Sequence, residues 1–327
     1  MLLEIKDLQV QYRVPGGIAE AVNKVSLNVT EGESLGLAGE SGCGKTTLGN
    51  SILRILPGGG HITGGSINLN GTGLVKLREE EMRQVRWRDI SMIFQGAMNS
   101  FDPTMIVENQ IAECILIHQR GTSKETALGR TRELLRLCGI NPLLGKSYPH
   151  ELSGGMKQRA CIAMALALQP KLLIADEITT ALDVMTQAQI FTLLRDMRSK
   201  FSLSMIIISH DLSALAQNCD RLAIMYAGHI VEVGTIQDIF EHPRHPYVKG
   251  LLFCIPSFAG DRAIIAAIKG APPSLLAPPP GCPFHPRCPI SIPECEVEVP
   301  QLMSVNSNHH SVACYRKDYK DVIWKNE

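Results

Sequence analysis

Gly39-Glu40-Ser41-Gly42-Cys43-Gly44-Lys45-Thr46 fits the pattern G-x-x-x-x-G-K-[ST]. That pattern works only where an apolar strand delivers the chain to the glycines and a helix carries it away. Ser34–Ala38 reads as the strand, and Lys45–Leu56 as the helix. The glycines let successive backbone N–H groups turn inward around a polyphosphate. Lys45 adds a point charge, the Thr46 hydroxyl suits Mg²⁺, and the helix start directs its positive end at the same anion. Gly39, Ser41, Gly42, Cys43, Gly44, Lys45, Thr46 and Thr47 are therefore the candidate nucleotide-binding residues. The alternative is a flexible surface turn.

The rest of the pattern alternates strands and helices. Leu2–Tyr12 and Val22–Val29 alternate apolar and polar residues, as half-buried strands do. Gly65–Asn70 and Ile90–Phe94 also read as strands. Leu172–Ala175 and Met205–Ser209 are continuous apolar runs of the kind buried on both faces of a parallel sheet. Helices are expected at about Thr104–Ile140, at Gly155–Leu168, at Thr186–Lys200 and at Asp211–Asn218. Leu222–Tyr226 and His229–Val233 flank Ala227-Gly228 and predict a hairpin. The order implies an α/β fold with a mostly parallel sheet. The helical stretch from about 97 to 160 reads as an inserted subdomain. Eleven of the 19 prolines lie between Pro256 and Pro300, which places a boundary near 255. Residues 1–255 form the expected body and 256–327 a loop-rich extension.

Composition narrows the function. The 32 basic and 32 acidic side chains balance, which argues against a protein held to nucleic acid chiefly by phosphate contacts. No apolar run approaches the ~20 residues of a membrane-spanning helix. Charge by position 4 does not suit a signal peptide, so a cytosolic chain is expected. Its ten cysteines are then not a disulfide framework.

Leu172-Leu-Ile-Ala-Asp176-Glu177 places two carboxylates at the end of an apolar strand, where ligands bind in such folds. Asp176 suits Mg²⁺, directly or through water, and Glu177 suits the orientation or deprotonation of an attacking water. An exposed acidic pair is the bland alternative. Leu152-Ser153-Gly154-Gly155-Met156 forms a second candidate anion-binding helix start. One triphosphate does not need two such sites within one chain. Two copies set head to tail would use both.

These residues together resemble the ATP-binding-cassette (ABC) ATPases, and supporting residues occur in the family's order. Tyr12 is placed like the aromatic that stacks on adenine, although strand packing is an alternative. Gln95 matches the glutamine that touches Mg²⁺ and water and senses the membrane partner. Ala181-Leu182-Asp183 matches the loop that crosses to the opposite subunit. His210 matches the histidine at the γ-phosphate, a helix-capping role being the alternative. The resemblance thus implies catalytic roles for Glu177, His210, Lys45 and Gln95, Mg²⁺ ligation by Thr46, Gln95 and Asp176, and nucleotide contacts from Ser153, Gly154, Gly155 and Asp183. Two departures stand out. Ile178 replaces the proline that usually follows the catalytic glutamate, and Met156 stands where many relatives have glutamine.

The segments Glu177–Val184, Met225–Gly228, His245-Pro-Tyr247 and Gly281-Cys-Pro-Phe-His-Pro-Arg-Cys-Pro289 sharpen the resemblance to the dipeptide/oligopeptide/nickel importer branch. That branch implies a P-loop ABC ATPase core with parallel sheet, inserted helical subdomain and antiparallel N-terminal strands, plus a small C-terminal cysteine domain. It implies an ATPase at the cytoplasmic face of the cell membrane, working with a second ABC ATPase subunit in a homo- or heterodimer, two permeases and a solute-binding protein. Peptides lead as cargo, with nickel chelates or oligosaccharides as alternatives. A soluble ABC ATPase acting on DNA or ribosomes, or a nucleotide sensor without turnover, belongs to another class. Cys282, Cys288, Cys295 and Cys314 have spacings C-x5-C-x6-C-x18-C. Four thiolates suit an iron–sulfur cluster or Zn²⁺, and free thiols are the third option. The branch implies a [4Fe–4S] cluster on these four. His285, His309 and His310 are possible substitute ligands, and exposed polar residues are the alternative.

Overall fold

The structure is a computed structural model that describes residues 1–96, 100–180, 182–254, 268–305 and 310–316. Its strands are β1 (Leu3–Val14), β2 (Gly17–Val29), β3 (Ser34–Ala38), β4 (Gly60–Leu69), β5 (Thr72–Gly73), β6 (Ile90–Ile93), β7 (Leu172–Asp176), β8 (Ser204–Ile208), β9 (Arg221–Tyr226), β10 (His229–Thr235), β11 (Met303–Ser304) and β12 (Ser311–Val312). Two compact units emerge: Met1–Val29 with Ser34–Val75 and Ser209–Glu327, and Thr30–Glu33 with Lys76–Ile208.

In the first unit, β1 pairs antiparallel with β2 and β4 in the order β2-β1-β4-β5. Gly16 and Gly17 turn the chain with φ of 99° and 147°, and Asp7 (φ 45°) marks a shift in the β1 register. The alternation along β1 buries Leu3, Ile5, Leu8 and Val10. β3 pairs parallel with β9, and all five of its residues are buried. β9 and β10 form the expected hairpin, closed at Ala227-Gly228 with positive φ at both. The extension adds β12 against β10, with Val312 opposite Glu232. The expected boundary at 255 lies outside the described residues.

In the second unit β6, β7 and β8 are parallel, with Ile90 opposite Leu172 and Leu172 opposite Ser204. β7 and β8 are buried along their whole lengths, as unbroken apolar runs require. The single helical stretch expected at Thr104–Ile140 is two helices, Val107–His118 and Lys124–Leu137. Gly121 (φ 89°) breaks it, and Ser123 caps the second by accepting from the Thr126 N–H. The pair buries Ile111, Ile115, Leu134 and Leu135, and Glu108, itself 4% exposed, takes the Arg132 guanidinium at 3.0 Å. Residues 97–99, where the helical subdomain was expected to begin, are not among those described. The helix expected to reach Leu56 ends at Leu53, because Arg54 turns left-handed (φ 52°). No helix of the described residues is long and apolar enough to cross a membrane.

Candidate functional site

The phosphate loop leaves the buried end of β3 in the first unit. Gly39 (φ 148°) and Gly44 (φ 107°) lie in the left-handed half of backbone space. A Cβ would come within 2.1 Å of the Met225 carbonyl oxygen at Gly39, and within 2.1 Å of the Ala21 carbonyl oxygen at Gly44. Glycine is thus the residue these two positions accept. Helix Lys45–Leu53 begins at Gly44, and Thr46 sits exposed at its first turn. The Lys45 side chain folds back over the loop, and its ammonium donates to the carbonyls of Gly39 (2.8 Å) and Glu40 (3.0 Å). Ser41 and Gly42 are exposed. Cys43 is buried, and burial raises its thiol pKa despite the neighbouring Lys45. A cavity flanks the loop, walled by Val14 and Ala19 and by Pro272–Leu276 of the extension. The Tyr12 ring lies against Gly60, where a Cβ would meet it at 2.5 Å. His210, exposed, follows Ser209, whose N–H donates to the Leu37 carbonyl of β3, the strand that leads into the loop.

The second unit carries the carboxylates. Asp176 is 1% exposed at the end of β7. Glu177 adopts φ 46°, a left-handed conformation uncommon outside glycine. Hydrogen bonds hold it there, among them one from the Thr180 hydroxyl to its carboxylate at 3.4 Å. Its N–H donates to Ile208, its carbonyl accepts from Thr180, and its carboxylate accepts from the Gln95 amide at 2.9 Å. Ile178, in place of the usual proline, is buried. Ser153 caps helix Gly154–Ala165, accepting from the Met156 N–H at 3.3 Å. Ser153 and Gly154 remain exposed. Asp183 caps helix Val184–Phe201 through the Thr186 N–H and hydroxyl, which hold its carboxyl below the usual range. Ala181 lies outside the described residues.

Cys282, Cys288, Cys295 and Cys314 line one small cavity in the first unit, with Phe284 and His245 on its wall. Burial is the main cause that pushes Cys282 and Cys314 up to about 11 and Cys288 up to about 12. The His285 N–H donates to the Cys282 carbonyl at 3.0 Å, and backbone N–H groups near the thiols, from Phe284 at Cys282, Ile290 at Cys288 and Arg316 at Cys314, partly offset the effect of burial. Among the described residues, no three or more His, Cys, Asp or Glu side chains are arranged to hold a single metal ion. His310 is committed elsewhere, since its Nε2 meets Glu232 at 2.7 Å. His285 turns its Nδ1 to the Cys282 carbonyl, and His309 is not described.

Sequence reasoning missed the residues that hold Glu40. Its N–H donates to the Tyr247 hydroxyl at 2.9 Å, and its carboxylate faces Arg287. His245-Pro-Tyr247 served above only as a mark of resemblance. Its structural purpose is visible only in three dimensions.

Comparison with known proteins shows the family. A family model described as ABC transporter matches residues 22–180, and one described as oligopeptide/dipeptide transporter, C-terminal region, matches 231–295. The dipeptide transport ATP-binding protein DppD of Bacillus subtilis is 44% identical over 98% of this chain and 96% of its own length. The oligopeptide transport ATP-binding protein OppD of Haemophilus influenzae is 42% identical over 93% of this chain and 94% of its own. Among solved structures, the dimeric ATP-binding cassette MJ0796 bound to ADP and Pi superposes with a TM-score of 0.65 at 26% identity, covering 72% of this chain and 98% of that one. With its glycine loop, strand-end carboxylates and capped Ser153 helix in the family's order, the chain belongs to the ATP-hydrolysing subunits of ABC transporters, in the branch marked by the oligopeptide/dipeptide C-terminal region.

Proposed function

We propose that this chain hydrolyses ATP to energise import of di- or oligopeptides, as a peripheral subunit at the cytoplasmic face of a membrane transporter. The observation that carries the reading is the near full-length likeness to dipeptide and oligopeptide transport ATP-binding proteins, tail included. The phosphate loop, with Lys45 and Thr46, takes the phosphates and one Mg²⁺ position. Asp176 supplies the carboxylate for that ion and Glu177 orients the attacking water, while Gln95 fixes the Glu177 carboxylate. His210 is assigned to the γ-phosphate and Tyr12 to the adenine. Catalysis here is positioning and charge stabilisation.

The exposed Ser153 and Gly154, together with Gly155 and Asp183, serve the nucleotide of a second ATPase subunit set head to tail. Triphosphate then joins the two subunits and hydrolysis releases them. Two permeases and a solute-binding protein complete the assembly. Reconstitution with permeases in liposomes tests this: peptide uptake should require ATP and vanish with Glu177→Gln in both ATPase subunits. Uptake of nickel chelates or oligosaccharides in place of peptides would overturn the substrate assignment.

The four cysteines are assigned a [4Fe–4S] cluster as a structural crosslink of the proline-rich extension, which has little core of its own. Their convergence on one cavity supports that donor set. A single tetrahedral ion would need thiolates within about 4 Å of one another, since each bond is about 2.3 Å. Iron and sulfide content and the visible spectrum of anaerobically purified chain, against Cys282→Ser, decide it. Stoichiometric zinc without iron would overturn it.

A further inference from the structure

Arg287 sits in the short turn His285–Arg287, between Cys282 and Cys288. Its side chain is 7% exposed, deep for an arginine. Nη1 donates to Glu40 Oε2 at 2.8 Å and to the Tyr226 hydroxyl at 3.1 Å, and Nη2 donates to Glu40 Oε1 at 3.1 Å. Nε is taken by the Lys269 carbonyl at 3.0 Å. The guanidinium also lies 5.7 Å from the centroid of the Tyr226 ring. Every edge of the fork is thus committed, and the carboxylate it grips bidentately belongs to the phosphate loop.

Glu40 is an awkward residue for such a loop. A fixed anion within roughly one Debye length, about 8–10 Å, repels a bound polyphosphate unless it is neutralised. Its backbone is pinned as well, with the N–H on Tyr247 and the carbonyl on the Lys45 ammonium. Lys45 is the loop's own cation, so any shift of Glu40 moves a partner of that ammonium. Tyr226, Tyr247 and Phe284 pack mutually around the pair, with ring centroids 4.6–5.4 Å apart.

The geometry points to Arg287 as a positioning residue for nucleotide binding: from the cysteine-bearing extension it neutralises and anchors Glu40, so that the phosphate loop accepts a polyanion. It acts through Glu40 and needs no contact with the nucleotide. The extension is then part of the nucleotide site's electrostatics, and whatever restrains Cys282 and Cys288 restrains the same turn. This inference rests on the assignment of residues 39–46 to ATP.

The test is the dissociation constant of a fluorescent ATP analogue with Mg²⁺ on the full chain, at low and high salt. Arg287→Ala should raise it about tenfold, and the increase should shrink in high salt as screening removes the repulsion. The double variant Arg287→Ala/Glu40→Gln should recover at least half of that loss on a logarithmic scale, because the stranded carboxylate is gone. Arg287→Lys, which keeps the charge and loses the fork, should fall between Arg287→Ala and the parent. Equal losses in Arg287→Ala and the double variant would mean a purely structural contact and overturn the proposal, as would a folded Arg287→Ala that binds like the parent. If Arg287→Ala does not fold, Arg287→Lys with and without Glu40→Gln carries the same comparison. A parent chain that binds no nucleotide would instead sink the assignment of the loop.

Discussion

The Gln95 side-chain amide donates to the Glu177 carboxylate at 2.9 Å, joining residues 82 positions apart. Glu177 has the left-handed φ of 46° that aims its side chain off the end of β7, and Gln95 fixes where that carboxylate rests. Glu177→Gln should keep nucleotide affinity and lose turnover by about 10²-fold or more, the usual worth of a positioned base. Gln95→Ala should lower kcat by a smaller factor and leave affinity near the parent value, since it removes only the orienting contact. Steady-state hydrolysis beside equilibrium nucleotide binding checks both. A Glu177→Gln chain that turns over at the parental rate would strip Glu177 of its role.

The glycines of the phosphate loop should differ sharply in tolerance. Gly39→Ala and Gly44→Ala place a Cβ 2.1 Å from a backbone oxygen and strain a positive φ. Each should cost the backbone strain plus that clash, about 4 kcal/mol or more, and abolish nucleotide binding. Gly42 also has positive φ (79°), yet nothing lies within 4 Å of its would-be Cβ. Gly42→Ala should cost only the backbone term, about 1–2 kcal/mol. Denaturant melts of the three variants, compared with the parent, measure the contrast. Equal losses at all three would show that φ alone decides.

Ser153 both caps its helix and presents its exposed edge outward. Ser153→Ala should cost about 1 kcal/mol of stability, the ordinary worth of an N-cap. It should lower ATP-dependent association with the partner ATPase far more than it lowers nucleotide binding by the isolated chain. Sedimentation with a hydrolysis-deficient partner separates the two effects.

These elements were unequally visible in the sequence. The phosphate loop and the strand-end carboxylates are short-range patterns, so Gly39–Thr46 and Asp176-Glu177 could be read directly. The all-apolar β7 and β8 were equally plain, because a strand buried on both faces has no polar alternation to hide it. The helical break at Gly121 was missed, since apolar spacing continues on both sides and one glycine does not announce a stop. Tyr247 and Arg287 were illegible as supports of Glu40. They lie 207 and 247 positions away, and no local pattern distinguishes them from ordinary surface residues. Long-range polar pairing follows from topology, and topology is what a single sequence specifies least directly.

His245 should make the first unit sensitive to mild acid. It is 1% exposed and N-caps helix Pro246–Phe253, with Nδ1 accepting the Tyr247 N–H at 3.1 Å. Only a neutral ring offers that acceptor, and burial pushes its pKa down to about 3. An unfolded histidine titrates near 6.5. Between about pH 6.5 and 3 the unfolded chain therefore binds a proton that the folded chain refuses, and stability falls as pH falls, by at most about 1.4 kcal/mol per pH unit for this group. Above pH 6.5 both states are neutral and the contribution is flat. His229, pushed down to about 4 by burial, acts in the same direction over a narrower window. His245→Asn retains a capping oxygen and removes the titration. The melting temperature of the parent should drop between pH 7 and pH 5, and that of His245→Asn should drop less. Parallel slopes would show that the buried ring does not titrate on unfolding, and with it the link between Tyr247, which steadies Glu40, and a neutral His245 would lose its pH signature.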